Sequence, residues 1–184
     1  MSKGKRKNAK LDYGDAVVMV APGTKLREAI FAILQSRNGA LICIGDPKRL
    51  AELSEGGVEL NAPYTPQLLY ELSKMDGAII LNEDASRILF ANRFLKPDDR
   101  IPSDETGTRH RAAERLAKQA KCIVIAVSER RATVTLYVCD TKHVLENIST
   151  LLSKATQAIQ TLEKYIHALN QATVDLSTRE FEDM

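Results

Sequence analysis

Apolar residues in this chain fall into short solid runs, and the spacing of those runs limits the fold to a sheet covered by helices. Ala40 to Ile44 reads as a buried strand. Ala78 to Leu81 and Ile88 to Ala91, split by the polar Asn82-Glu83-Asp84-Ala85-Ser86, outline an antiparallel hairpin, and Cys122 to Ser128 with Ala132 to Cys139 outline a second around Glu129-Arg130-Arg131. Helical patterns lie between them. Thr24 caps a helix that buries Leu26, Ile30, Ile33 and Leu34 before Asn38-Gly39 ends it, and Pro47 to Leu53 reads as a short helix. Gly56-Gly57 reads as a turn, and Thr65-Pro66 opens a helix carrying Leu68, Leu69 and Leu72. Ala113, Leu116, Ala117 and Ala120 mark the inward face of another. The order strand, helix, strand pair, helix, strand pair, helix excludes a simple alternating parallel fold. It predicts an α/β (α+β) class, a mixed central β-sheet flanked by helices.

Beyond Lys142 the chain has no Gly or Pro, and Val144, Ile148, Leu151, Ala155, Ala158, Leu162, Tyr165 and Leu169 alternate spacings of four and three. A second line at Leu152, Ile159 and Ile166 widens the apolar surface beyond a coiled-coil stripe. The expected organisation is a basic tail over 1–12, a core over 13–142, and a helix over 143–184. That helix is expected to pack on the core at its start and to contact a partner near its end.

A length of 184 residues with 44% hydrophobic content suits one domain with a substantial core, and a net charge of +2 is close to neutral. Any phosphate affinity must therefore be local. The opening MSKGKRKNAK lacks the apolar centre of a signal peptide, and no apolar run reaches the length of a membrane span. Cys43, Cys122 and Cys139 lie inside Leu41 to Ile44, Cys122 to Val127 and Thr133 to Cys139, which read as strands, and an odd thiol count without paired spacing argues against a disulfide framework and fits a reducing cytoplasm. His110, His143 and His167 lack the close partners of a zinc site.

Two segments carry the chemistry. Asp76-Gly77-Ala78 heads the first hairpin, where a carboxylate can hold a divalent cation and two small residues let a ligand approach the backbone. By itself, Asp-Gly also reads as an ordinary turn. Thr108-Arg109-His110-Arg111 opens a helix; residues there are about 100° apart in projection, so the cations converge only at the first turn. With Thr108 as cap, free N–H groups and forked guanidinium groups suit phosphate. A solvated basic helix start or a DNA-backbone contact fits that segment equally well. Ser128-Glu129-Arg130-Arg131 sits at the tip of the second hairpin. No phosphate-binding loop, dinucleotide fingerprint or acyl-transfer triad is present in the sequence.

Three stretches, LYELSKMDGAIIL, SDETGTRHRAAERLAKQ and VSERRATVTLY, occur in the order found in the diadenylate cyclase domain, and the chain resembles the version found in the DisA family of DNA-integrity scanning proteins. The resemblance runs from about Val20 through the Leu162 to Tyr165 region. It implies the same mixed-sheet architecture and the condensation of two ATP molecules into cyclic di-AMP with loss of two pyrophosphates. Asp76 is implied as the catalytic residue and the ligand of Mg2+ or Mn2+. Gly77, Ala78, Leu95, Thr108, Arg109, His110, Arg111, Ser128 and Arg131 are implied as substrate contacts, with Leu95 at the position that packs on adenine and reads its edge. Roles for Glu129 and Arg130 are not assigned by the match. The resemblance further implies face-to-face dimers gathered into octamers, and DNA contact only through a helical linker and a helix-hairpin-helix module, both expected to be absent here. A catalytically silent sensor of ATP or cyclic di-AMP, or a DNA-binding module, are the alternatives.

Overall fold

The computed structural model describes residues 13–145 and 148–182; the basic tail expected over 1–12 lies outside them. The elements in order are α1 Tyr13–Met19, α2 Lys25–Gln35, β1 Ala40–Ile44, α3 Pro47–Glu52, β2 Ser54–Glu55, β3 Val58–Pro63, α4 Pro66–Ser73, β4 Ala78–Leu81, β5 Arg87–Leu95, α5 Thr108–Ala120, β6 Ile123–Ser128, β7 Thr133–Val138, β8 Thr141–Leu145 and α6 Ile148–Glu182. The described residues up to Leu145 form one compact unit, and those from Ile148 onward form another.

In the first unit the strands form one mixed sheet in the order β2-β5-β4-β1-β6-β7-β8, with β3 also paired to β5. β1 runs parallel to β4, and the other pairs are antiparallel. The solid apolar runs follow from burial on both faces. Ile42, Ile44, Ile79, Leu81, Ile123 and Ile125 face one core with Leu26, Ile30 and Ile33 of α2 and Leu69 of α4. The alternate residues Leu41, Cys43, Ala78, Ile80, Val124 and Ala126 face the other, with Leu50 of α3 and Ala113, Leu116 and Ala117 of α5. Each fully buried Ile or Leu contributes about 1.5–3 kcal/mol, so the central strands anchor everything built on their ends.

Thr24 caps α2 by accepting from the Arg27 N–H at 3.2 Å, and Thr65 caps α4 by accepting from Leu68 N–H at 3.1 Å. β5 carries a kink at Asn92, whose φ is +55°, and the pairing with β4 shifts register beside it. Glycine is needed on both flanks. A methyl group at Gly57 would collide with the Ala91 carbonyl oxygen, and one at Gly77 would come within 2.9 Å of the Arg93 carbonyl oxygen.

Several expectations change. α1, β2, β3 and β8 were not foreseen, and β5 extends to Leu95, which is therefore a strand residue. Val144 belongs to β8, so the long helix starts at Ile148, not at 143. Of the apolar positions expected to line that helix, Leu152, Ile159, Leu162, Tyr165, Ile166 and Leu169 are exposed. No described helix is long and apolar enough to cross a membrane. Cys43 and Cys122 are buried free thiols, and Cys139 is a partly buried one.

Candidate functional site

Two pockets meet at the start of α5. The smaller, of about 300 Å3, is lined by Asp76, Gly77, Ala78, Leu95, Thr108 and Arg109, together with Leu41, Arg93, Phe94 and Ala112. Its position follows from topology. β1 and β4 run parallel, with Leu41 opposite Ala78, so both strands begin at the same end of the sheet, and the end of β5 lies beside them with Ala78 opposite Arg93. Leu41, Ala78 and Leu95 are buried and give an apolar floor. Asp76 is exposed at the rim, in the bend before Gly77, whose φ of +88° turns the chain into β4.

The larger pocket, of about 560 Å3, is lined by Glu105 through His110 and by Val127 through Arg131. Thr108 and Arg109 belong to both pockets, which makes the first turn of α5 the hinge of the site. The N-cap of α5 is Gly107, with no side-chain hydrogen bond to the first turn. This corrects the reading of Thr108 as cap: Thr108 is the first helical residue. The result is a more open helix start, because no side chain competes for the orphan N–H groups that, with the helix dipole, favour an anion.

The three basic residues of that turn diverge. Arg109 enters both pockets, and His110 lines the larger. Arg111 lines neither; its guanidinium donates to the Glu105 carbonyl at 3.4 Å and the Thr106 carbonyl at 3.3 Å. It braces the loop that delivers the chain to the helix. From the other side, Ser128, Glu129, Arg130 and Arg131 close the larger pocket at the β6–β7 turn, with the Arg131 N–H donating to Ser128 Oγ at 3.4 Å.

Glu105 organises the wall between these parts. Its carboxylate accepts from the Tyr137 hydroxyl at 2.8 Å and pairs with Lys142 at 2.5 Å. Burial works to raise its pKa, but the hydrogen bonds from Lys142 and Tyr137 together with the nearby positive charge of Lys142 and the field of His110 outweigh this and hold it below the usual carboxylate range. His110 is pushed the other way. Burial lowers its pKa, Glu105 opposes that, and Arg131, Lys142 and Arg109 add to the lowering. Its Nδ1 is buried without a hydrogen-bond partner among the described residues, and its ring lies 6.4 Å from that of Tyr137. Lys142 was not singled out from the sequence, since a lysine after an apolar strand carries no local signal. Glu105 and Tyr137 were visible only as members of the motif stretches, without a role of their own.

The nucleotide-binding family described for the DisA bacterial checkpoint controller is matched over residues 27–142, which spans both pockets. The chain belongs to that family. Residues 145–184 match the linker region of the same controller, so the segment expected to stop short of the linker is itself matched by it. The DNA integrity scanning protein DisA of Carboxydothermus hydrogenoformans is 53% identical over 169 residues, covering 92% of this chain and 48% of that protein. The protein of the same name from Bacillus licheniformis is 49% identical over 179 residues, covering 97% of this chain and 50% of that protein. The chain spans about half the length of these relatives. Among solved structures, a protein from Bacillus cereus titled a hypothetical membrane spanning protein superposes with a TM-score of 0.59 at 26% identity, over 67% of this chain and 62% of that one. A double mutant of DacA from Staphylococcus aureus superposes at 0.55 with 20% identity, over 72% of this chain and 91% of that one; at that identity the likeness is one of fold.

Proposed function

We propose that this chain is a diadenylate cyclase that joins two ATP molecules into cyclic di-AMP and releases two pyrophosphates. The observation that carries the reading is the joining of the two pockets through Thr108 and Arg109. One pocket has an apolar floor with a carboxylate at its rim, and the other is lined by a helix start and arginines. A nucleoside triphosphate has the matching division into an apolar base, a hydroxyl-bearing sugar and a polyanion.

In this reading the base lies on Leu95, the ribose passes Gly77 and Ala78, and the phosphates are held by Arg109, His110, the open first turn of α5, Ser128 and Arg131. Arg111 acts from behind by bracing the loop. Asp76 orients the 3′-hydroxyl and takes its hydrogen bond. The hydroxyl oxygen forms a bond to the α-phosphorus of the second ATP, the bond from that phosphorus to the bridging oxygen breaks, pyrophosphate leaves, and the hydroxyl proton passes to solvent. The same exchange in the opposite direction closes the ring. The cationic pocket stabilises the leaving pyrophosphate, and positioning supplies most of the rate.

Among the described residues, Asp76 is the one acidic residue lining the smaller pocket, and no group of three or more His, Cys, Asp or Glu suited to a metal is found. A single carboxylate with phosphate oxygens suits Mg2+ or Mn2+, which keep water and substrate ligands. Such an ion, held by Asp76 and ATP, would supply charge neutralisation at the reacting phosphate.

The described residues of each chain hold one copy of the site, whereas the product is two-fold symmetric, so two chains meet face to face with their nucleotides antiparallel. Assembly of such dimers into an octamer, and a cytoplasmic location, complete the proposal. It is tested by the dependence of rate on protein concentration. Cyclic di-AMP formed per chain is expected to rise with concentration through the range where dimers form, while ATP binding per chain stays constant. ATP binding without cyclic di-AMP at any concentration would favour the sensor.

A further inference from the structure

Gly39 immediately precedes β1, and its φ lies outside the positive range that favours glycine. The backbone there accepts any small residue. What the position lacks is room: a methyl group would come within 2.6 Å of Arg109 Nη1 and 3.9 Å of its Cζ, whereas the nearest backbone atom, the Val127 carbonyl oxygen, is 3.5 Å away. The first distance is a clash, and the last is ordinary contact. The one group that must move is the head of a flexible side chain, and it belongs to Arg109, the residue that with Thr108 lines both pockets.

We propose that Gly39 is a positioning residue whose missing side chain forms the seat of the Arg109 guanidinium, fixing that cation between the two pockets. The inference deepens the nucleotide reading and rests on it for its effect on ATP, but the seat itself is a matter of packing. A guanidinium lying on bare backbone is positioned with no carboxylate partner among the described residues to neutralise it, so its charge stays available to a phosphate. Side chains of any size at position 39 would lift Arg109 and spread it over several orientations, and a hydrogen bond to phosphate depends steeply on alignment.

The test is a double-mutant cycle on the whole chain, using Gly39→Ala, Arg109→Ala and the pair, with ATP affinity by calorimetry, thermal melting and a crystal structure of Gly39→Ala. ATP affinity is expected to fall about ten- to a hundredfold in Gly39→Ala, the scale of one charge-assisted contact. In the Arg109→Ala background, Gly39→Ala should have no further effect on affinity, and melting should change little. The crystal structure should show Arg109 Nη1 displaced. Additive losses of affinity, or an Arg109 that keeps its place in the Gly39→Ala structure, would overturn the proposal. If the parent chain binds no ATP, the nucleotide reading fails separately, and the position of Arg109 in the variant still decides whether Gly39 is its seat.

Discussion

The hydroxyl of Tyr137 donates to the carboxylate of Glu105 at 2.8 Å, tying the end of β7 to the loop that leads into α5. The same carboxylate takes the Lys142 ammonium from β8, and the neighbouring backbone carbonyls take Arg111. The first turn of α5 is thus held from behind by three side chains that need not touch ligand. Removing the hydroxyl in Tyr137→Phe should cost about 1.5–3 kcal/mol, the range for a hydrogen bond to a charged group. Chemical denaturation measures it, and a loss under about 0.5 kcal/mol, the floor for an ordinary hydrogen bond, would mean that the bond contributes little.

Glu105 also predicts a pH dependence. Its folded pKa is depressed, with the hydrogen bonds from Lys142 and Tyr137, the charge of Lys142 and the field of His110 together overcoming burial. The stability it contributes is therefore fully present above the unfolded carboxylate pKa of about 4.3. It is lost as pH falls through the lower folded value. Melting temperatures of the parent and Glu105→Gln should differ most near neutral pH and converge in acid. A constant gap across that window would assign the difference to packing.

His110 should be neutral at pH 7, since burial lowers its pKa and Arg131, Lys142 and Arg109 add to that against Glu105. Filling the larger pocket with a polyanion should reverse the shift, because a nearby negative charge favours the imidazolium. Nitrogen NMR of the ring, titrated with and without ATP, is expected to show a higher pKa in the complex. No change on binding would place the phosphates away from His110.

Arg109 and Arg111 should separate in function. Arg109→Ala removes a side chain that lines both pockets and should weaken ATP binding by at least about tenfold. Arg111→Ala releases two loop carbonyls and should act more on stability than on affinity. Calorimetry and thermal melting on the two variants distinguish these roles, and equal losses of ATP affinity would return Arg111 to the ligand.

A stability test with an internal control compares two glycines. Gly77 and Gly23 both have positive φ, +88° and +89°, but a methyl at Gly77 would meet the Arg93 carbonyl oxygen at 2.9 Å, whereas one at Gly23 meets nothing within 4 Å. Gly23→Ala should cost about 1–2 kcal/mol of backbone strain, and Gly77→Ala more, with the difference read from denaturation midpoints. Equal costs would mean that the chain beside Asn92 yields easily.

The legible parts of this fold were those where burial leaves a pattern in the residues. β1, β4, β6 and β7 carry apolar runs because both faces are covered, and the Thr24 and Thr65 caps have the residue types their geometry needs. β3 and β8 escaped because they lie at sheet margins with mostly exposed residues and no alternation to read. Val144 happened to fall in register with the α6 seam, which disguised a strand as the start of a helix. At the site, Asp76 and Arg109 are marked by residue type and position and Ser128 by the family resemblance, and the structure brings Asp76 together with Arg109, and Arg109 with Ser128. The cap at Gly107, the backward turn of Arg111 and the space at Gly39 are properties of three-dimensional packing, with no mark in the local sequence.

In the proposed reaction, Asp76 and the α5 start together turn ATP into a cyclic dinucleotide. The most direct measurement incubates the chain with ATP and Mn2+ or Mg2+, resolves the nucleotides by chromatography and mass, and runs Asp76→Asn beside it with ATP binding checked by calorimetry. Cyclic di-AMP is expected from the parent and none from the variant, which should still bind ATP. Equal product from both, or no product from a parent that binds ATP as a dimer, would contradict the account.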